Sequence, residues 1–215
     1  MRSEVFSQTE GQVPGIALQN SKMVRVGLNG DLIARQGSMI AYQGQMDFAY
    51  LGSGGVGKFL KKAMTGEGAP LMKVTGTGDL FLADLARNVH IIELEGDSLT
   101  VSSRNILAFD SSIEWDITRI EGAGMAAGGL FNMKLTGAGR VAITTDGEPV
   151  ALVVDAPTYV DTNAVVAWSS TLQTSLKKSF KMQSMIGRGS GEAVQLAFSG
   201  QGFVLVQPSE GIQLV

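Results

Sequence analysis

A short motif, Gly-x-Gly followed within one residue by an apolar run, is written three times along this 215-residue chain: "GTGDLFLA" from Gly76, "GAGRVAIT" from Gly137 and "GQGFVLVQ" from Gly200. The second glycines of the pairs lie 61 and 63 residues apart, and an apolar residue stands two places before each pair: Val74, Leu135 and Phe198. A fixed period near 60 residues marks a repeated structural unit. A fold for this chain must therefore offer three like segments three like environments.

Two further registers keep the same order. An apolar residue, Ala and an aromatic recur at "IAY", "LAF" and "VAW", ending on Tyr42, Phe109 and Trp168, and four places on stand Met46, Ile113 and Leu172. A looser element, "TGEGAP" (Thr65–Pro70), "AAGGLF" (Ala126–Phe131) and "GSGEAV" (Gly189–Val194), precedes each glycine pair by about nine residues. Because each aromatic follows an apolar–Ala pair, the three are expected at equivalent positions, all mostly buried.

Each segment reads as β. "VRVGL", "HIIELEG", "VAITT", "ALVVDA" and "VQLAF" are short runs rich in β-branched residues, bounded by Gly, Asp, Asn or Ser. "LNGD" (Leu28–Asp31), "LEGD" (Leu94–Asp97) and "VDAP" (Val154–Pro157) carry turn residues at matching places and are read as tight hairpins. One stretch breaks the pattern. "GVGKFLKKAM" (Gly55–Met64) spaces Val56, Phe59, Leu60, Ala63 and Met64 as one helical face, with Lys58, Lys61 and Lys62 opposite, and predicts a short inserted helix.

The expected fold is all-β: three tandem small β units with one short inserted helix. The expected divisions are an N-terminal segment 1–23, repeat 1 over 24–83 with the insertion at 55–64, repeat 2 over 84–146, repeat 3 over 147–207, and a tail 208–215. A unit of about 60 residues with few large aromatics builds only a small core alone, so edge-to-edge stacking is expected to bury what one unit exposes. The glycine pairs are expected at corners where one unit approaches another.

Together "GGVGKFLKKAMTGEG", the three Gly-x-Gly runs and the "ILAF"/"VVAW" strands resemble the bacterial members of the altered-inheritance-of-mitochondria (mitochondrial biogenesis) family, formerly a domain of unknown function. The resemblance covers roughly Val24 to Gln207. It implies units similar to the tryptophan RNA-binding attenuation protein, each a shortened double-stranded β-helix. It also implies homotrimers in which nine units form a ring. It brings no catalytic motif. The middle segment departs from the pattern, with "AAGGLF" where "GEG" is expected.

Little in the sequence points to chemistry. "GSGGVGK" meets the first half of a phosphate loop, but Phe59 follows Lys58 where a hydroxyl must reach the metal. The glycine pairs lack the third glycine of a dinucleotide fingerprint and precede strands, not helices. His90 is the only histidine and there is no cysteine, so a thiolate metal site or a disulfide cannot form. Glu93, Glu95 and Asp97 alternate and are read as one solvated strand face, and Asp79, Asp84, Asp110, Glu114 and Asp116 scatter around them. "LKKSFK" (Leu176–Lys181) and "KFLKK" are local basic patches on a chain whose net charge is -3, which argues against a nucleic-acid backbone as partner.

No catalytic, cofactor-binding or metal-binding residue is assigned, and no cofactor is expected. No run of about 18 apolar residues suggests a transmembrane segment, and the N-terminus lacks a signal-peptide core; a cytoplasmic protein is expected. The expected function is a non-enzymatic homo-oligomeric scaffold or interaction protein, self-associating as a homotrimer and meeting an unknown protein partner. The alternative is a binding module for a small molecule or nucleic acid in the clefts between β units.

Overall fold

The structure, a computed structural model, describes residues 13–51, 70–120, 131–178 and 194–209. Regular structure there is strand throughout, apart from one 3-10 turn at Ser103–Asn105. The helix predicted over 55–64 lies outside the described residues.

Three long strands lead: β2 (Met23–Arg35), β3 (Met39–Tyr50) and β4 (Leu71–Leu82), preceded by β1 (Gly15–Asn20). The strand β4 lies between β2 and β3, antiparallel to both. Next come β5 (Asn88–Ser102), β6 (Ile106–Asp110), β7 (Glu114–Arg119) and β8 (Phe131–Thr145). Here β8 pairs with β5 on one edge and with β6 and β7 on the other. The last group is β9 (Val150–Val154), β10 (Thr158–Asp161), β11 (Val165–Ser169), β12 (Gln173–Lys178), β13 (Val194–Ser199) and β14 (Gly202–Val206). There β14 pairs with β9 and β11, and β13 with β10 and β12. Each group thus has the same antiparallel scheme, its last strand element sandwiched between the other two.

The groups differ in how often the strands break. In the first all three run through, in the second only the middle one is split, and in the third all are split. The breaks fall where the first group bends. There Gly30 faces Gly76, and Gly44 faces Gly78. "LNGD" and "LEGD" are therefore bends inside β2 and β5, not hairpins, and only "VDAP" separates two strands. Gly supplies the positive φ that turns a strand without ending its ladder: Gly30 sits at φ 124° and Gly96 at 97°. The Gly-x-Gly pairs do mark corners, but within a unit. A Cβ on Gly76 would stand 2.1 Å from the carbonyl oxygen of Gln45, and one on Gly78 2.0 Å from that of Gln43, both on β3.

Successive groups are joined edge to edge. After its bend β2 pairs with β6 through Leu32–Asp110, Ile33–Phe109 and Ala34–Ala108, and β5 pairs with β11 through Leu99–Ser169, Thr100–Trp168 and Val101–Ala167. An eleven-stranded sheet results, running from β3 at one end to β9 at the other, with β10, β13 and β12 forming a second sheet. The core follows the joints. One buried cluster gathers Val26, Leu32, Val74 and Leu80 with Leu107, Ala108 and Ala142 of the second group; the next gathers Phe109, Leu135 and Val141 with Ile33, Val166 and Ala167.

The aromatic register holds and the burial expectation does not. Tyr42 faces Leu80, Phe109 faces Val141 and Trp168 faces Val204, each two residues beyond the second glycine of its pair. Phe109 and Trp168 are buried, whereas Tyr42 is exposed. The reason is position: β6 and β11 have strands on both edges, and β3 is the end strand of its sheet. Phe109 stacks edge-on against Trp115 at 6.4 Å between centroids, and Trp168 against Phe198 at 5.6 Å. Phe109→Ala is expected to cost about 3–5 kcal/mol through lost burial and a residual cavity, read by urea denaturation; an unchanged midpoint would contradict the packing.

Candidate interaction surface

Two apolar patches are open, one at each end of the sheet system. On β3 the large apolar side chains exposed are Met39, Ile40, Tyr42, Phe48 and Tyr50; in the third group they are Val150, Leu152, Val153, Tyr159 and Phe203. Among the described residues no strand lies on the second edge of β3 or on that of β10. Open edges with apolar side chains are templates for pairing with another chain. Tyr42 and Phe48 lean on each other at 5.4 Å, and Lys177 sits over the ring of Tyr159 at 3.9 Å, so both patches carry ordered aromatic surface.

Between the groups lies a polar joint. Arg87, in the connection from β4 to β5, pairs with Asp146 at 2.8 Å and with Asp84 at 3.4 Å, and donates to Thr144 Oγ1 at 3.1 Å. Arg35, at the end of β2, reaches Asp84 at 3.0 Å and donates to the carbonyl of Arg104 at 2.7 Å. Arg104 itself crosses to the third group, donating to Asn163 Oδ1 at 2.9 Å and to the Thr162 carbonyl at 3.2 Å. Burial holds the Arg104 guanidinium below its ordinary range, and the nearby charge of Arg87 adds to this. Gln207 closes the joint. Its Oε1 accepts from the Asp146 amide at 3.1 Å and from Arg87 and Asn105 at 3.4 Å, and its Nε2 donates to the carbonyls of Asn163 and Ser209. Nothing in the repeat pattern flagged Gln207; only its place at the end of the third apolar run could have done so.

The residues weighed for chemistry stand apart. His90, on β5, meets Thr145 Oγ1 at 2.9 Å. Glu93 and Glu95 are exposed, but Gly96 is a bulge: Glu95 faces Ala138 and Asp97 faces Gly137, so Asp97 leaves the face it was expected to share. Asp97 instead accepts from the Glu95 amide at 3.1 Å. Asp79 pairs with Arg25 at 2.9 Å, and Asp110 accepts from the Arg140 amide at 2.7 Å. Glu114 and Asp116 lie on β7. Among the described residues no three His, Cys, Asp or Glu groups come together as a metal site. The "GGVGK" loop lies outside the described residues, as does "KFLKK", while "LKKSFK" is described only as far as Lys178. No described helix is long and apolar enough to cross a membrane.

These features define a class: an all-β chain of edge-joined segments with apolar strands open at both ends. The chain matches the mitochondrial biogenesis AIM24 family over residues 16–209, and it belongs to that family. Its fold is similar to that of protein SPYM3_0169 from Streptococcus pyogenes, 24% identical, with a TM-score of 0.71 over 90% of this chain and 92% of that one. No curated protein matches.

Two outcomes follow for the joint and the surface. Gln207→Leu is expected to cost about 1–3 kcal/mol, because it strands several buried partners at once; denaturant titration reads it. Asp31, hydrogen-bonded first by Lys73 and then by Thr75, has its carboxyl held below the ordinary value of 3.8. A depressed folded pKa contributes stability above the unfolded value and loses it as pH falls through the folded one. The stability gap between wild type and Asp31→Asn is therefore expected to be constant at neutral pH and to close below pH 3.8.

Proposed function

We propose that this chain is a non-enzymatic scaffold whose three β groups are copies of one unit, and that it assembles head to tail as a homotrimeric ring. The observation that carries the reading is a contrast within the molecule. Ile40 and Tyr42 are 57% and 45% exposed, whereas the residues at the same register, Leu107 and Phe109, are both 0% exposed, and Val166 and Trp168 are 0% and 3%. The second and third groups bury these positions beneath the strand of the group before them. Among the described residues no strand stands before the first group in this way.

The complementary edge is β10. Leu32 faces Val74, Leu99 faces Leu135 and Thr158 faces Phe198, each two residues before the first glycine of its pair. Tyr159 thus takes the place of Ile33 and Thr100, and is 46% exposed where they are 7% each. Carried across, the joint sets β10 of one copy antiparallel to β3 of the next, with Tyr159 opposite Tyr42, Thr158 opposite Gln43 and Val160 opposite Ala41. A heterologous contact of this kind must close into a ring or grow without limit.

Three chains of 22.6 kDa give a particle of about 68 kDa. Light scattering after size exclusion is expected to return that mass. Ile40→Asp places a charge in the joint while altering only an exposed side chain of the single chain, and is expected to yield folded monomers. A wild-type monomer at micromolar concentration would overturn the assembly.

A further inference from the structure

The strand β1 occupies a seat that the other joints lack. It lies antiparallel on the outer edge of β2, with Gly15 opposite Gly27, Ile16 opposite Val26 and Leu18 opposite Val24. Its approach depends on Gly27: a Cβ there would stand 2.6 Å from the Val13 carbonyl oxygen and 3.4 Å from the Pro14 Cα. At the same register, opposite the residue that follows the second glycine of the pair, β5 carries Glu93 and β9 carries Val153. A side chain at those positions would meet a chain entering as Val13 and Pro14 enter here.

The floor of the seat is equally particular. Ile16 is the fully buried side chain of β1, in one cluster with Leu107, Ala108 and Ala142. Where the second group has Ala142, opposite Ile91, the third has Leu205, opposite Ala151, and the first has Phe81, opposite Arg25. Ala142 is the smallest of the three, and it shares a buried cluster with Ile16. The far wall is Arg140 of β8, whose Nη1 donates to the carbonyls of Ile16 at 3.1 Å and Pro14 at 3.4 Å. A guanidinium thus satisfies carbonyl groups that β1 turns away from β2.

The resident has a strand on one edge only. It buries one side chain fully and leaves Leu18 exposed, and Val13, just before it, is exposed too. Gly15 is at φ 78°, so the residue entering the seat must tolerate a left-handed conformation.

We infer that the cleft between β2 and Arg140 is a strand-addition groove for an extended peptide, with β1 as its resident, exchangeable occupant. The ligand class is a peptide in β conformation carrying glycine followed by an aliphatic residue: backbone bonds to β2 and Arg140 supply affinity, and the Ile16 pocket supplies selectivity. The groove lies within one chain and does not depend on the proposed ring.

The test opens the seat and refills it. Ile16→Asp expels the anchor. A fluorescein-labelled peptide of residues 11–22 is then titrated against the variant and the wild type, with anisotropy as readout. The variant is expected to bind at micromolar concentration, at least about tenfold more tightly than the wild type, where β1 competes. Binding is expected to vanish when Gly27→Val is added, with circular dichroism showing the fold retained. A folded Ile16→Asp protein that ignores the peptide overturns the inference, as does binding that survives Gly27→Val. Should Ile16→Asp not fold, amide hydrogen exchange on the wild type decides. Exchange at the Ala17 amide, the one of Ile16–Leu18 that faces β2, at least about tenfold faster than along β4 supports a separable strand, and equal rates overturn it.

Discussion

A three-residue ladder sets the architecture. Leu32–Ala34 of β2 pair with Ala108–Asp110 of β6, and Leu99–Val101 of β5 pair with Ala167–Ser169 of β11. So short a ladder is weak alone. It holds because each joint also has a shared hydrophobic cluster beneath it, in which Leu107 and Ala142 pack with the first group, and Val166 and Ala167 with the second. The ladder fixes register and the cluster contributes the free energy. Neither would place the groups alone, since apolar contact does not choose a register.

That joint requires strands long enough to serve two partners, which is why the bends matter. Before its bend β2 pairs with β1 and β4, and after it with β4 and β6. A strand that turned into a hairpin at Gly30 would lose its second half and with it the handover. The glycine pairs let the strands turn together, since Gly30 and Gly76 face each other across the ladder. The third group reaches the same course with six short strands, and there a second sheet separates. The polar joint sits where separation would otherwise loosen the array: Arg104 and Gln207 tie the loop at Thr162–Asn163 back to the second group.

How much of this the sequence shows depends on how local each cause is. The glycine pairs were legible because their requirement is backbone geometry, met by residue type alone. So were the β class and the shared register of Tyr42, Phe109 and Trp168. The exposure of Tyr42 was not legible, because it depends on which strand lies beside β3, a fact that no window around Tyr42 contains. "LNGD" read as a hairpin because a bend and a turn use the same residues. The face shared by Glu93, Glu95 and Asp97 failed at one residue, Gly96, whose bulge shifts the phase of all that follows. The polar joint was invisible for a different reason: Arg35, Arg87, Arg104 and Gln207 are far apart in the chain, and only the stacking of groups brings them together.

The two ends of the array also bear on each other. A repeat protein that ends in water carries polar residues where internal repeats carry apolar ones. At the open end of the first group the chain instead has Ile40-Ala41-Tyr42, the same residue types as Leu107-Ala108-Phe109 and Val166-Ala167-Trp168 inside. On β10, another open edge, Tyr159 stands beside Val160, which is already buried. Internal chemistry at an exposed register is costly in water, because each such side chain forgoes the transfer free energy its counterparts gain on burial. The β1 edge shows the contrast. There an open strand edge is covered within the chain itself, by a segment fitted through Gly27 and Ala142. Where this fold covers an edge internally it provides a small-residue seat, and β3 and β10 have no such covering strand among the described residues. The physical logic of the proposed ring is that these two edges, apolar and equal in register, are covered by each other.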